Sequence, residues 1–399
     1  MIAGLSIASF LLDEGKMMNR LLIRIITILL IMLALSTYAI AQRVVKYPDN
    51  KQDIKVRWNW GLEQSREKIN KDGFWLGYSI QRLMGENSFI GCFNTDNEKE
   101  TSLSEMIYGK NEKQHYKKIP DDEVVREAAK KVLKRINDPD APVDKVIKEV
   151  AILFRFENGS YKSNEISEIV ISNLSLHVDL ENSPLIWLGK VTDYESVTFL
   201  EKQYKKVTNE EAKEDLITAI SLHQTSDRVI NFLGKIIFSK ETDELRGKAV
   251  FWIAEHETER VLKILIKTVE KDRSVEVREK AVFSLSRMKN ERATEALIDL
   301  AYRAKNREIR KKAIFWLGQK ASKKSVKALK KVVNDDSDYE LQKRAVFALS
   351  QLPDNKGVPH LIKIAKTHSN REIRKKAIFW LGQSADPRAL ETLVKIVRK

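Results

Sequence analysis

The chain has 399 residues, of which 43% are hydrophobic and 32% charged, with only 15 Gly and 8 Pro. That composition excludes collagen-like, linker-like and wholly disordered chains, and the length suits two or three domains. The one cysteine, Cys92, excludes an intramolecular disulfide framework and any multi-cysteine zinc or iron–sulfur site; 71 Lys and Arg against 56 Asp and Glu leave a net charge of +15.

Residues 1–41 read as an address rather than a fold. Arg20 and Arg24 form a basic segment, Ile25 to Leu35 an apolar run broken only by Thr27, and Ala39-Ile40-Ala41 a small-residue cleavage site. The run is shorter than the ~20 residues a spanning helix needs. The spacing predicts a secretory signal peptide that starts at Met17 or Met18 and is cleaved near Ala41; the alternative is an uncleaved membrane anchor. Cleavage there implies a periplasmic or secreted location.

The charge is unevenly placed. Residues 42–240 hold 31 basic and 32 acidic side chains, whereas residues 241–399 hold 37 and 22. For an exported chain, acidic proteins or an anionic lipid or glycan surface are the expected partners, and nucleic acid is not.

Residues 42–182 read as a small α+β or β-rich domain. Lys55 to Trp60 and parts of Phe74 to Arg82 alternate as strands do, and Ser88 to Phe93 is a short apolar run. Val150 to Phe156, the turn Asn158-Gly159, and Ile166 to Leu180 read as strand, turn and long strand. Residues 94–119 read as a loose polar loop and Pro120 to Ile136 as a helix, after which Asp138 to Pro142 breaks the chain. Such a domain could recognise a partner or cap one end of a helical stack in the second half of the chain.

Residues 183–399 are dominated by a repeat. Asn-Arg-Glu-Ile-Arg-Lys-Lys-Ala-Ile-Phe-Trp-Leu-Gly-Gln occurs at 306–319 and again, unchanged, at 370–383. Its alanine recurs as Ala249, Ala281, Ala313, Ala345 and Ala377, in steps of 32 residues. Leu216 and the segment Leu185 to Gly189 mark fainter copies, which makes about seven units. Seven places before each register alanine stands a good N-cap: Thr242, Ser274, Asn306, Asp338 and Asn370. A glutamate two places later favours the first turn, and Leu245, Val277, Ile309, Leu341 and Ile373 begin an i, i+4, i+8 apolar stripe. Gly318 and Gly382 suit helix ends. Each unit contains a second amphipathic helix, the last opened by Asp386-Pro387. Capped helix pairs at fixed period must stack into a solenoid to bury their faces.

The Ala-Ile-Phe-Trp-Leu-Gly-Gln blocks and the Asp-Pro-Arg-Ala-Leu opening resemble HEAT repeats, especially the short bacterial PBS-lyase HEAT-like form. The resemblance covers 183–399. It implies an α-solenoid whose second helices line a concave side, and it says little about function. Some relatives act on phycobilisome chromophores, an activity that an exported chain is not expected to share.

Three places past the register, large and small residues alternate: Trp187, Ala219, Trp252, Ser284, Trp316, Ala348, Trp380. This pattern predicts a stacking unit of two repeats, each indole packed beside a neighbour's small residue; the alternative is a Trp row that serves as an aromatic binding platform. Phe251, Phe283, Phe315, Phe347 and Phe379 stand two places past the alanine, at about 200° from it around the helix. Lys248, Lys280, Lys312, Arg344 and Lys376 stand three places before each Phe, on the same face. Two readings stand. The Phe rings with their basic edge are a partner-binding strip for an acidic, partly apolar segment, or they pack between repeats beside solvated lysines. Arg246, Arg278, Arg310 and Arg374 read as structural bridges in a series that Gln342 breaks.

Reactive chemistry is not legible. None of the six histidines pairs with another His or a Cys at metal-ligand spacing, and His256 is expected to be exposed. There is no phosphate loop, dinucleotide fingerprint or nucleophile elbow, so no catalytic, cofactor-binding or metal-binding residue is assigned. Cys92 reads as a small buried residue. Asn158 and Asn173 fit a glycosylation pattern. The expected function is a non-enzymatic envelope scaffold or adaptor. An envelope enzyme with its site in 42–182, or polyanion binding through the basic repeats, are the alternatives.

Overall fold

A computed structural model describes residues 44–49, 51–68, 73–86, 88–91, 101–109, 145–157, 165–181 and 183–398. The signal-peptide segment, Cys92, the Asn158-Gly159 turn and the helix expected at 120–136 lie outside these residues. The chain divides into two compact units between Phe199 and Leu200.

The first unit is built on a mixed sheet of five strands: β1 (Val44–Lys46), β2 (Phe74–Gly85), β3 (Lys145–Phe156), β4 (Glu168–Asn173) and β5 (Leu185–Lys190), in the order β1-β5-β2-β3-β4. β5 runs parallel to both β1 and β2, and β2, β3 and β4 form an antiparallel meander. Residues 74–80 are buried without interruption because both faces of the sheet are covered. On one face lies α1 (Ile54–Lys68), where Trp58 meets Phe154 edge-on at 5.0 Å and lies 4.7 Å from Phe199. Gly61 lets that helix settle, since a Cβ there would come within 2.4 Å of Leu76. On the other face, α2 (Leu103–Tyr108) contributes Leu103 and Ile107 to a cluster with Trp75, Leu153, Leu185 and Trp187.

These elements overturn several expectations. Lys55 to Trp60 belongs to helix α1: the buried side chains are Ile54, Arg57, Trp58 and Leu62, a helical spacing that also passes locally for alternation. Leu185 to Gly189 is strand β5, not a repeat, and Trp187 is a sheet residue that donates to the Tyr108 hydroxyl at 3.3 Å. The strand expected from Ile166 to Leu180 ends at Asn173. The loop expected at 94–119 contains α2. Asn173 is buried, with its side-chain amide donating to the Glu149 carbonyl, so it accepts no glycan.

Helix α3 (Asp193–Tyr204) carries the division between the units. Beyond it stand six helix pairs rather than seven: α4 (Glu210–Ser221) and α5 (Asp227–Ile237), α6 (Asp243–Ile253) and α7 (Glu259–Lys271), α8 (Val275–Arg287) and α9 (Glu291–Arg303), α10 (Arg307–Lys320) and α11 (Lys323–Asp335), α12 (Tyr339–Ser350) and α13 (Val358–Thr367), α14 (Arg371–Gly382) and α15 (Pro387–Val397). Leu216 holds the register in α4. Each N-cap works as its residue type dictates: the Thr242, Ser274, Asn306, Asp338 and Asn370 side chains all accept backbone N–H groups of the first turn. The register alanines are fully buried, and the stripe residues on either side of them are almost so. Gly318 is not a helix end. It lies inside α10, where it packs against Ala348, and the helix closes at Ala321 in left-handed conformation. His256 is buried rather than exposed, its Nδ1 3.0 Å from the Thr225 hydroxyl.

Candidate aromatic and cationic strip

The register helices α6, α8, α10, α12 and α14 pack side by side, so equivalent side chains line up from unit to unit. The Phe residues lie at the edge of this layer. Phe251, Phe283, Phe315 and Phe347 are half-buried, and Phe379 is 52% exposed. They are neither core residues nor free rings.

Their neighbours explain this intermediate state. Phe251 stacks on Phe283 at 6.1 Å between ring centroids. Phe283 lies 4.7 Å from Trp316 of the next unit, and Trp316 meets Phe315 at 4.9 Å. Phe347 likewise lies 5.0 Å from Trp380, which meets Phe379 at 5.0 Å. The indoles expected in the core are therefore half-buried members of an aromatic ribbon. The large–small alternation holds in the stack from Ala219 onward: Ser284 and Ala348 are buried, and the Ser284 hydroxyl donates to the Val250 carbonyl at 2.8 Å.

Two guanidinium groups lie over the ribbon. Arg287 is 4.3 Å from the Phe251 centroid and 5.9 Å from that of Phe283, and it also pairs with Glu255. Arg344 is 6.0 Å from Phe315 and 5.9 Å from Phe347. It thus spans the interval between the two ring clusters, at a distance where a cation is attracted by ring quadrupoles.

The basic edge is graded along the stack. Lys248 pairs with Glu214 at 3.1 Å, Lys280 with Glu276 at 2.8 Å, and Lys312 with Glu279 at 2.8 Å. All three are partly buried. Arg344 and Lys376 are exposed and have no carboxylate within 4.0 Å among the described residues; Lys376 lies 5.7 Å from the Phe379 centroid. The strip expected from the sequence is thus brought together as one surface, but only its carboxyl-terminal part presents open positive charge. Sequence reasoning missed Arg287, which faces the rings from six places past the register. It also missed the neutralising Glu214 and Glu279, and read Glu276 only as a first-turn charge, although the spacing of 33 residues between Glu279 and Lys312 was available as a signal.

The arginines one turn earlier are structural. Arg246 pairs with Asp272 at 2.9 Å, Arg310 with Asp336, and Arg374 donates to the His368 carbonyl at 2.6 Å. Gln342, which breaks the series, donates to the Asp336 carbonyl at 2.8 Å and so ties the same loop.

Family profiles agree with this architecture. One described as HEAT repeats matches residues 230–311 and 295–367, and one described as PBS lyase HEAT-like repeat matches residues 373–398. Among solved structures, the chain is similar to human deoxyhypusine hydroxylase in complex with glycerol, at 18% identity and a TM-score of 0.23, covering 50% of this chain and 77% of that one. It is also similar to the complex of CpcE and CpcF of phycocyanin lyase from Nostoc sp. PCC7120, at 17% identity and a TM-score of 0.30, covering 52% and 80%. No curated protein matches. The helical repeat region is thus HEAT-like, and its last unit resembles the PBS lyase HEAT-like repeat.

Proposed function

We propose that this protein is a non-enzymatic scaffold or adaptor that binds another protein along the aromatic and cationic strip of its helical repeats. HEAT repeats suggest protein–protein interaction in general. The observation that carries the reading is the ribbon of Phe and Trp rings, left half-open to solvent and crossed by Arg287 and Arg344. A row of rings used only for packing would be closed by the next layer of side chains. The partner is acidic in this reading, because the units that bear the strip hold the chain's whole excess of positive charge.

With export by the segment before residue 42, the partner is a protein of the cell envelope. Catalysis has no part in this reading. The test is cross-linking and capture from an envelope extract with the intact protein and with the double variant Phe315→Ser, Phe347→Ser, both first shown to fold by circular dichroism. The proposal expects one or more proteins to be retained by the first and lost by the second. Retention of the same proteins by both overturns it. Capture that survives the Phe changes but disappears in high salt favours general polyanion binding instead.

A further inference from the structure

The strip repeats the same residue positions five times, so each unit serves as a control for the others. At the basic position, the units differ in what lies nearby. For Lys312, the residue 33 places earlier is Glu279, which takes its charge at 2.8 Å. For Arg344 and Lys376 the corresponding residues are Lys311 and Lys343. The glutamates one turn back make no ion pair with them, although Lys376 acts on Glu372 at longer range. Glu340 is engaged by Lys343, and Glu372 by Lys375 at 2.7 Å. Lys311 is itself held by Glu308 at 2.9 Å. Lys280 is held down in a different way, on its own Glu276 and across Gly247, where an added Cβ would meet the Lys280 chain at 2.6 Å.

Two consecutive units therefore present cations with no carboxylate partner among the described residues. One turn further along the same two helices lie the Phe347 ring and the Trp380 indole, 5.0 Å apart. Arg344 is held over Phe315 and Phe347, so its guanidinium is presented with little freedom left to lose on binding.

We infer that Arg344 and Lys376 form a two-point clamp for carboxylates of an acidic protein segment, with the aromatic floor of Phe347 and Trp380 beside them taking an apolar side chain. This deepens the proposed function and rests on that reading. Arg344 and Lys376 hold the same position on neighbouring packed helices, whose axes lie about 8–10 Å apart, so two acidic side chains on one face with at least about that spacing engage both. In an extended polyproline II segment, residues i and i+3 share a face about 9.3 Å apart. The segment recognised is thus acidic-x-x-acidic with an aromatic or aliphatic residue between. The guanidinium can accept one carboxylate in bidentate fashion, whereas the lysine offers a point charge.

The probes are two fluorescein-labelled peptides of identical composition, Pro-Glu-Pro-Phe-Glu-Pro and Pro-Glu-Glu-Pro-Phe-Pro. Fluorescence anisotropy with the full chain measures their affinities, and circular dichroism verifies the fold of each variant. The spaced peptide is expected to bind about tenfold more tightly than the adjacent one. R344Q and K376Q should each weaken the spaced peptide by about fivefold or more, while K248Q, whose lysine is already paired, leaves it unchanged. Equal binding of the two peptides, or loss in K248Q equal to that in R344Q, overturns the clamp while leaving a broader strip intact. Absence of binding by either peptide at millimolar concentration also overturns it, and the envelope capture experiment then decides separately whether the strip binds a partner.

Discussion

Arg246 reaches from helix α6 to Asp272 at the end of α7, with the two side chains 2% and 3% exposed and their closest atoms 2.9 Å apart. The pair returns one double repeat later as Arg310 and Asp336. In the intervening unit the arginine is present as Arg278, but position 304 is alanine, and Arg278 has no carboxylate within 4.0 Å among the described residues. The 64-residue period seen in the Trp series is therefore also written in these pairs. Asp243 also pairs with Arg246, so Asp272→Ala leaves the guanidinium one carboxylate but removes its buried one, and should destabilise the stack by about 1–3 kcal/mol. Conversely, Ala304→Asp offers Arg278 the missing acceptor and should stabilise by about 1–3 kcal/mol. Urea unfolding midpoints, followed by helical signal, test both; an inert Asp272→Ala would contradict the account.

Gly318 and Gly382 occupy the same place in two copies of one sequence block, yet they meet different surroundings. A Cβ at 318 would lie 3.0 Å from the Ala348 Cβ and 3.1 Å from its carbonyl oxygen, whereas one at 382 meets nothing within 4 Å. Gly382→Ala should therefore gain up to about 1 kcal/mol of helix propensity. Gly318→Ala should gain nothing, and Gly318→Val should cost about 1–3 kcal/mol through overpacking. Thermal unfolding of the three variants orders them, and equal effects at the two sites would show that the contact with Ala348 carries no energy.

The repeats were legible because each level of the sequence repeats the same instruction. The Asn306 cap, the Glu308 charge, the Ile309-Ala313-Leu317 stripe and the 32-residue step all specify one helix of one stack. The first unit was legible in part: Phe74 to Arg82 and Val150 to Phe156 are strands as read, whereas β5, buried on both faces, loses the alternation that reveals strands. Leu185 to Gly189 imitates a repeat block because a buried strand and a buried helix turn use the same residues over so short a run. At the strip, the positions of the Phe rings and basic residues could be read directly. Their energetic ranking could not: for Lys248 and Lys312 neutralisation depends on a glutamate 34 or 33 residues away, and no local pattern reports it.

His360 lies on α13 in a cleft of about 300 Å³ shared with Lys330, Lys363 and His368. Burial lowers its pKa, and the Lys330 ammonium lowers it further. Its folded value is thus below the ordinary ~6.5 of the unfolded chain. The fold therefore prefers neutral His360, whose contribution to stability is full above the unfolded value and is lost as pH falls through it toward the folded one. Proton NMR of the imidazole should give a midpoint below 6.5, and Lys330→Gln should move it upward. A midpoint unchanged by that substitution would remove Lys330 as a cause and leave burial alone.

The aromatic ribbon makes a prediction that separates one ring contact from another. Trp316 leans on Phe283 at 4.7 Å and 44°, and Trp380 leans on Phe347 at 5.0 Å and 49°. Each indole therefore sits in the ring current of the preceding unit's Phe. In protein labelled with 5-fluorotryptophan, Phe283→Leu should shift the fluorine signal of Trp316 and Phe347→Leu that of Trp380, with Trp252 fixed in the second variant. Each change removes an aromatic pair worth about 0.5–1.5 kcal/mol beyond area burial, so the loss of stability should be modest and similar at the two sites. If instead both variants move every Trp signal, the rings respond as one collective layer, and the assignment of discrete pairs along the strip is wrong.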